Sequence, residues 1–301
     1  MSGLCEGRVA IVTGAGRGVG RQHALQLAAA GAKIVVNDLG SSVDGSGTDT
    51  SPAQHVTDSI NVAGGEAIVN RDDVSNFDGA KNLVDTAINT FGKLDILVNN
   101  AGILRDRMLV NMTEDEWDSV IAVHLKGTFA PSRHAASYWR AMSKQNDDGN
   151  PIMGRIINTS STSGIYGNVG QTNYGAAKAG IAAFTIIAAR ELHRIGVTVN
   201  AISPSAYTRM TDNLREYTEE EIEIRDPSWV SPTVVYLAST KAQDITGRII
   251  EAGAGQVAVC EGWRRGAEVG QMDDPDALGL KIREMIEKVR KNSGMDGLEL
   301  D

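Results

Sequence analysis

Short apolar runs rich in β-branched residues recur along the chain. They are separated by stretches whose apolar positions repeat at helical spacing. The runs at 9–13, 33–38, 67–70, 95–99, 155–159, 197–202 and 248–251 predict about seven strands. They are apolar on both faces, the pattern of strands in a parallel sheet covered by helices on both sides. Between them, segments 19–30, 52–64, 76–91, 114–143, 173–194 and 231–239 have helical length and periodicity. Strand and helix in alternation predict an α/β fold, a doubly wound parallel sheet with helices on both faces. In such a sheet ligands bind at the carboxyl ends of the strands, so candidate functional residues are sought there.

Three stretches break the pattern. Residues 40–51, GSSVDGSGTDTS, read as a mobile loop after the second strand, and 144–154, KQNDDGNPIMG, as a polar insertion before the fifth. The tail beyond about 253 begins GAGQVAVCEGWRRG and ends in a charged helical pattern at 274–292, with no linker to set it apart.

Composition narrows the classes. Among 301 residues, 38 acidic side chains against 29 Lys and Arg leave a formal charge of −9, which disfavours a broad nucleic-acid-binding face. Cys5 and Cys260 lie far apart, which fits neither a disulfide framework nor a metal site. The longest apolar run, IAAFTIIAA at 181–189, is too short to span a bilayer, and the first residues lack a signal-peptide pattern. The expectation is a soluble cytoplasmic protein.

The first strand runs into Gly14-Ala15-Gly16-Arg17-Gly18-Val19-Gly20 and then a helix. Glycines allow a sharp turn and bring backbone amides close to a pyrophosphate at the helix N-terminus. The spacing is G-x-x-x-G-x-G, from Gly14, Gly18 and Gly20, and not G-x-G-x-x-G. Eighteen residues after Gly20, Asp38 closes the second strand. A carboxylate there accepts from ribose hydroxyls and repels a 2′-phosphate, which favours NAD; capping of the strand is the plainer role. Arg17 pulls the other way, since a base in that loop suits a 2′-phosphate. Farther along, Tyr174 and Lys178 share one face of a helix. A phenol titrates near 10, and a neighbouring ammonium lowers it towards the range of a general acid or base. Tyr-x-x-x-Lys by itself is common by chance.

The glycine loop, Asp38, Asn99-Asn100-Ala101-Gly102 and the Tyr174/Lys178 pair together resemble the short-chain dehydrogenase/reductase family, over roughly residues 7–255. The resemblance implies a single Rossmann-type domain over 1–255, with 256–301 as a C-terminal extension. It implies that Ser161, thirteen residues before Tyr174, polarises the substrate oxygen. Ser160 and Ser163 beside it suit turn or cap hydrogen bonds. By the same resemblance Asp73 and Val74 meet the adenine, while Asn100, Ala101 and Gly102 serve the cofactor ribose and the sheet. Pro204–Thr208 would line the nicotinamide, although PSAYT lacks the family's glycine and is one residue shorter. Where the family carries a proton-relaying Asn, this chain has His124, for relay or for packing. The implied reaction passes a carbinol hydride to NAD while Tyr174 takes the hydroxyl proton, and Lys178 also binds the nicotinamide ribose.

NDLG at 37–40, NNAGILRDR at 99–107, HLKGTF at 124–129 and GIYGNVGQTNY at 164–174 are similar to one branch of that family. It is the branch holding the (3R)-hydroxyacyl-CoA dehydrogenase part of peroxisomal multifunctional enzymes. This implies oxidation of a 3-hydroxyacyl-CoA to the 3-oxoacyl-CoA, with a 17β-hydroxysteroid as the alternative substrate. Arg105 and Arg107 would meet CoA phosphates, or pair with Asp106 and Asp115. Segment 208–226, where the family places its substrate lid, ends in an acidic EEEIEIRD run that suits solvent. A non-catalytic NAD-binding protein conflicts with the intact Tyr174 and Lys178. A Ser161 hydrolase lacks the G-x-S-x-G elbow. By resemblance the chain forms homodimers or homotetramers through segments 114–143 and 173–194.

Overall fold

Each β-branched run places alternate side chains on opposite faces of one sheet. In β1 (Val9–Thr13), Ala10 and Val12 join one buried cluster while Val9 and Ile11 join the other. The same division runs through β2 (Lys33–Asn37), β4 (Ile96–Asn99) and β5 (Arg155–Thr159). With β3 (Ala67–Asn70), β6 (Thr198–Ser205), β7 (Ile249–Gly253) and β8 (Gln256–Val259) they form one eight-stranded sheet, ordered β3-β2-β1-β4-β5-β6-β7-β8. Seven strands are parallel and β8 pairs antiparallel with β7. The computed structural model describes residues 3–47, 49–145, 150–212 and 216–300.

Helices α1 (Gly18–Ala29), α2 (Ser51–Val62) and α9 (Ser231–Ala238) cover one face, with Leu27, Val56 and Val234 in its core. Helices α3 (Phe77–Phe91), α5 (Gly127–Gln145) and α7 (Thr172–Leu192) cover the other, with Leu83, Trp139 and Ala188 in that core. The doubly wound parallel architecture is therefore as expected.

Four features differ from the sequence reading. The expected helix 114–143 is two helices, α4 (Glu114–Ile121) and α5, joined by a π-helical turn over Ala122–Lys126. Its defining bond runs from the Gly127 amide to the Ala122 carbonyl, and a single wide turn of this kind is invisible to a 3.6-residue period. Strand β6 runs three residues past 202, so Pro204 sits inside it, opposite Ala252. The eighth strand lies beyond residue 255, in the stretch read as extension. Two short helices, α6 (Thr162–Ile165) and α8 (Glu219–Ile224), were not anticipated. In the tail, α10 (Pro275–Ile286) forms from the N-cap Asp274 and buries none of its residues. Part of the 144–154 insertion (146–149) and part of the 208–226 segment (213–215) lie outside the described residues. Among the described residues no helix is long and apolar enough to cross a membrane.

Candidate active site

The carboxyl end of β1 sets the first half of the site. Gly14 (φ +62°) turns the chain, and a Cβ on it would lie 2.8 Å from the Ala101 Cα. A Cβ on Gly20 would stand 2.2 Å from the Gly14 carbonyl oxygen, so only glycine lets α1 start this close to the strand. Arg17, the N-cap of α1, gives no side-chain cap, which leaves the first-turn amides at Gly18, Val19 and Gly20 without one. A tight loop with an uncapped helix N-terminus fits a pyrophosphate.

Asn100 fastens this loop from the neighbouring strand. Its side-chain amide donates to the carbonyls of Thr13 (3.0 Å) and Gly14 (3.2 Å). The Thr13 hydroxyl accepts from the backbone amides of Asn100 (2.9 Å) and Ala101 (3.0 Å) in return. Asp38 stands beside the loop, accepting from the Gly16 amide at 2.7 Å and the Gly40 amide at 2.6 Å. Each oxygen keeps a lone pair for a ribose hydroxyl. Arg17 is committed to Asp49 at 2.9 Å, with the Ser41 carbonyl at 3.5 Å. Asp73 is exposed and closes a turn by accepting from the Ser75 amide (2.8 Å) and hydroxyl (2.7 Å), while Val74 is buried against Gly127. Thr208 lies over the loop: its methyl would be 3.5 Å from a Cβ on Gly18.

The second half is built on β5 and α7. Ser161 follows β5 as the N-cap of α6, accepting from the Ser163 amide at 3.2 Å, and it hydrogen-bonds the Tyr174 phenol. The Lys178 ammonium donates to the Thr159 carbonyl at 2.7 Å and lies 5.4 Å from the centre of the Tyr174 ring. Ser160 is buried and donates to the Lys178 carbonyl at 3.0 Å, a packing role. Ser161, Tyr174 and Lys178 are thus gathered in one place.

Their electrostatics run against the simple expectation of a depressed phenol. Burial pushes Tyr174 up to about 12, with the Ser161 hydrogen bond opposing it. Burial also pushes Lys178 down to about 7, so the ammonium expected to favour the phenolate is itself only half-populated at neutral pH. Desolvation outweighs the neighbour here.

His124 occupies the π turn and is buried and neutral, held down to about 3 by burial and by the Lys178 charge. Its ring meets Tyr174 edge-on at 5.1 Å, and its Nε2 lies 2.7 Å from the Ile103 carbonyl oxygen. The Ile103 amide also donates to Nε2 at 3.1 Å, so both Ile103 backbone groups meet that nitrogen, while Nδ1 is buried without a partner among the described residues. A Cβ on Gly102 would be 2.4 Å from the His124 ring, which explains the glycine at that position.

One positioning residue escaped the sequence reading. Asn173 is buried, donates to the carbonyls of Arg105 and Glu116 (both 2.9 Å) and accepts from the Tyr174 amide at 2.7 Å. No spacing or composition signals such a residue, because all its partners are backbone groups. Arg105 and Arg107 are paired with Asp115 (3.2 Å) and Glu116 (3.0 Å), so neither is a free phosphate contact. Asp106 instead accepts from Gln171 at 2.7 Å.

Comparison with known proteins agrees with this geometry. The family model for short chain dehydrogenases matches residues 8–221. A hydroxyacyl-CoA dehydrogenase, ChsB1, of Mycobacterium tuberculosis is 43% identical over 289 residues, 92% of this chain and 88% of that protein. A peroxisomal hydratase-dehydrogenase-epimerase of Neurospora crassa is 42% identical over 260 residues, 86% of this chain. The chain spans only 27% of that longer protein. A crystal structure of a short chain dehydrogenase from Mycobacterium avium superposes with a TM-score of 0.87 at 48% identity, covering 99% of this chain and all of that one. A glycine loop shaped for a dinucleotide, a Ser–Tyr–Lys cluster beside it and a family match over most of the sheet converge. The chain belongs to the short chain dehydrogenase family, oxidoreductases that act on CH–OH groups with a nicotinamide cofactor.

Proposed function

We propose that this protein oxidises a 3-hydroxyacyl-CoA to the 3-oxoacyl-CoA with NAD. Near-full-length similarity to a hydroxyacyl-CoA dehydrogenase carries the substrate class. Asp38, poised at the glycine loop with Arg17 already neutralised by Asp49, supports NAD over NADP. The cofactor, when bound, supplies the hydride acceptor. Ser161 donates to the carbinol oxygen and fixes its distance from Tyr174. Tyr174 takes the hydroxyl proton as its phenolate, whose formation the high pKa opposes until a positive charge comes close. Lys178, tethered to the Thr159 carbonyl, is placed to supply that charge. Asn173 sets the start of the helix that carries both residues, and His124 walls the phenol on its edge. His124 Nδ1, which has no protein partner among the described residues, is assigned the relaying water in this reading.

The working unit in this proposal is a homodimer or homotetramer in the cytoplasm, with β8 completing the sheet and the rest of 256–301 as an extension of the domain. Trp117 on α4, Phe129 on α5 and Ile187 on α7 are exposed apolar side chains that suit such contacts, and both cysteines are free thiols. Light scattering tests the assembly. Tyr174→Phe is expected to abolish NADH production from 3-hydroxyacyl-CoA while leaving NADH binding intact; near-normal turnover would refute the mechanism. A comparison of kcat/KM for a 3-hydroxyacyl-CoA and for estradiol tests the substrate class.

A further inference from the structure

The loop after β2 does not lie free. From Gly40 it crosses the end of β1, where the glycine loop begins, and reaches the segment that follows β4, because β1 stands between β2 and β4 in the sheet. The Leu104 amide donates to the Val43 carbonyl at 2.9 Å, and Arg105 Nε donates to the Asp44 carbonyl at 2.7 Å. Gly45 packs so close to Ile103 that a Cβ on it would be 3.2 Å from the Ile103 Cδ1. From the opposite side Arg209, just after β6, donates to the Ser41 carbonyl at 3.1 Å, the same oxygen that Arg17 approaches. Residues following three different strands therefore hold one short strap above the dinucleotide cradle.

The means of attachment matter. Residues 41–47 read Ser-Ser-Val-Asp-Gly-Ser-Gly, with one apolar side chain, and 44–47 are exposed. No apolar side chain of residues 41–47 is fully buried; backbone carbonyls held by guanidinium groups and one backbone amide tie the strap to the segments after β4 and β6. Such bonds are individually weak and exchange readily with water. A segment held this way opens and closes without disturbing the core.

We propose that residues 40–47 are a clasp over the adenosine half of the cofactor, that Arg105 and Arg209 are its fasteners, and that its opening sets the rate of cofactor release. The inference rests on the reading of the glycine loop and Asp38 as a dinucleotide site. Arg209 links the clasp to the start of the segment that follows β6, whose Thr208 covers Gly18. Release of the cofactor and movement of that segment are therefore coupled through one carbonyl oxygen, that of Ser41.

The test is the dissociation rate of NADH from the substrate-free protein, followed by stopped-flow fluorescence. Two variants attack the clasp independently. Arg105→Ala/Arg209→Ala removes both fasteners. Excision of residues 43–45 removes the bonds to Leu104 and Arg105; its flanks are already joined by the Ser42 amide and Ser46 carbonyl at 2.8 Å, so the shortened path is close to the existing one. Both are expected to release NADH roughly tenfold faster, the worth of a pair of exposed hydrogen bonds, with unchanged melting temperatures. In the unaltered protein NADH should also slow exchange of the Leu104 amide. Release rates within twofold of the unaltered protein in either variant would overturn the clasp while leaving the dinucleotide site standing. A protein that binds neither NADH nor NADPH would overturn both.

Discussion

Lys178 carries a cost that can be measured by removing it. Its ammonium is buried and pushed from 10.5 down to about 7, so the unfolded chain holds this proton over a pH range in which the folded one gives it up. The cost is present in full below pH 7, fades as pH rises from 7, and is gone above the unfolded value of 10.5. At about 1.4 kcal/mol per pKa unit it amounts to roughly 4 kcal/mol at pH 7. Lys178→Met keeps the stem and deletes the charge, but it strips the Thr159 carbonyl of its donor, a loss of about 1–3 kcal/mol. The net expectation is an inactive protein more stable than the parent by roughly 1–3 kcal/mol at pH 7, a melting temperature several degrees higher. Urea unfolding of the two proteins at pH 7 and at pH 10 is the assay, with the difference between them as the readout. At pH 10 most of that cost is gone while the lost hydrogen bond remains, so the gap should vanish or reverse. A variant no more stable than the parent at pH 7, or a gap independent of pH, would refute the idea that burial of Lys178 is paid for in stability.

Other outcomes follow from neighbouring groups. Ser161→Ala removes the one hydrogen bond that opposes the upward shift of Tyr174. Turnover should fall roughly a hundredfold and its rise with pH should move to higher pH, which a pH–rate profile reads. Gly102→Ala would press a methyl into the His124 ring and is expected to cost about 1–3 kcal/mol in denaturant unfolding. His23 and His124 are both held near 3 in the fold against 6.5 when unfolded, so each destabilises as pH falls below 6.5. Together they should lower stability by roughly 2–3 kcal/mol per pH unit between 6 and 4, and a flat urea midpoint across that range would count against their burial.

Much of this architecture was legible in the residues because parallel strands buried on both faces leave an unmistakable mark. Val9–Thr13 and Ile96–Asn99 are buried throughout and apolar on both faces, since both faces meet helices. Strand β8 escaped notice for the opposite reason: Gln256–Val259 is exposed along its length, and four residues after a Gly-rich turn carry little pattern. The Tyr174/Lys178 spacing was readable, but the strengths of the two groups were not, because burial comes from the whole fold. Arg105 was free to pair with several acids in sequence, and geometry chose Asp115 together with the Asp44 carbonyl. The Gly/Ser composition of residues 40–47 suggested mobility; bonds to Leu104, Arg105 and Arg209, distant in sequence, could not be foreseen from it.

The wide turn at Ala122–Lys126 has a geometric effect beyond the bond it rearranges. One extra residue advances the phase of a helix by about 100°. Upstream of the turn Val120 points to the small cluster that packs beneath Tyr174; downstream, Ala135 and Trp139 point to the sheet. A regular helix through both segments would rotate one set of side chains away from its target. The turn thus works as a phase adjuster that lets one rod face two surfaces. Deleting a single residue from it would swing α4 about a third of a turn relative to α5, and the wall beside the phenol would move with it.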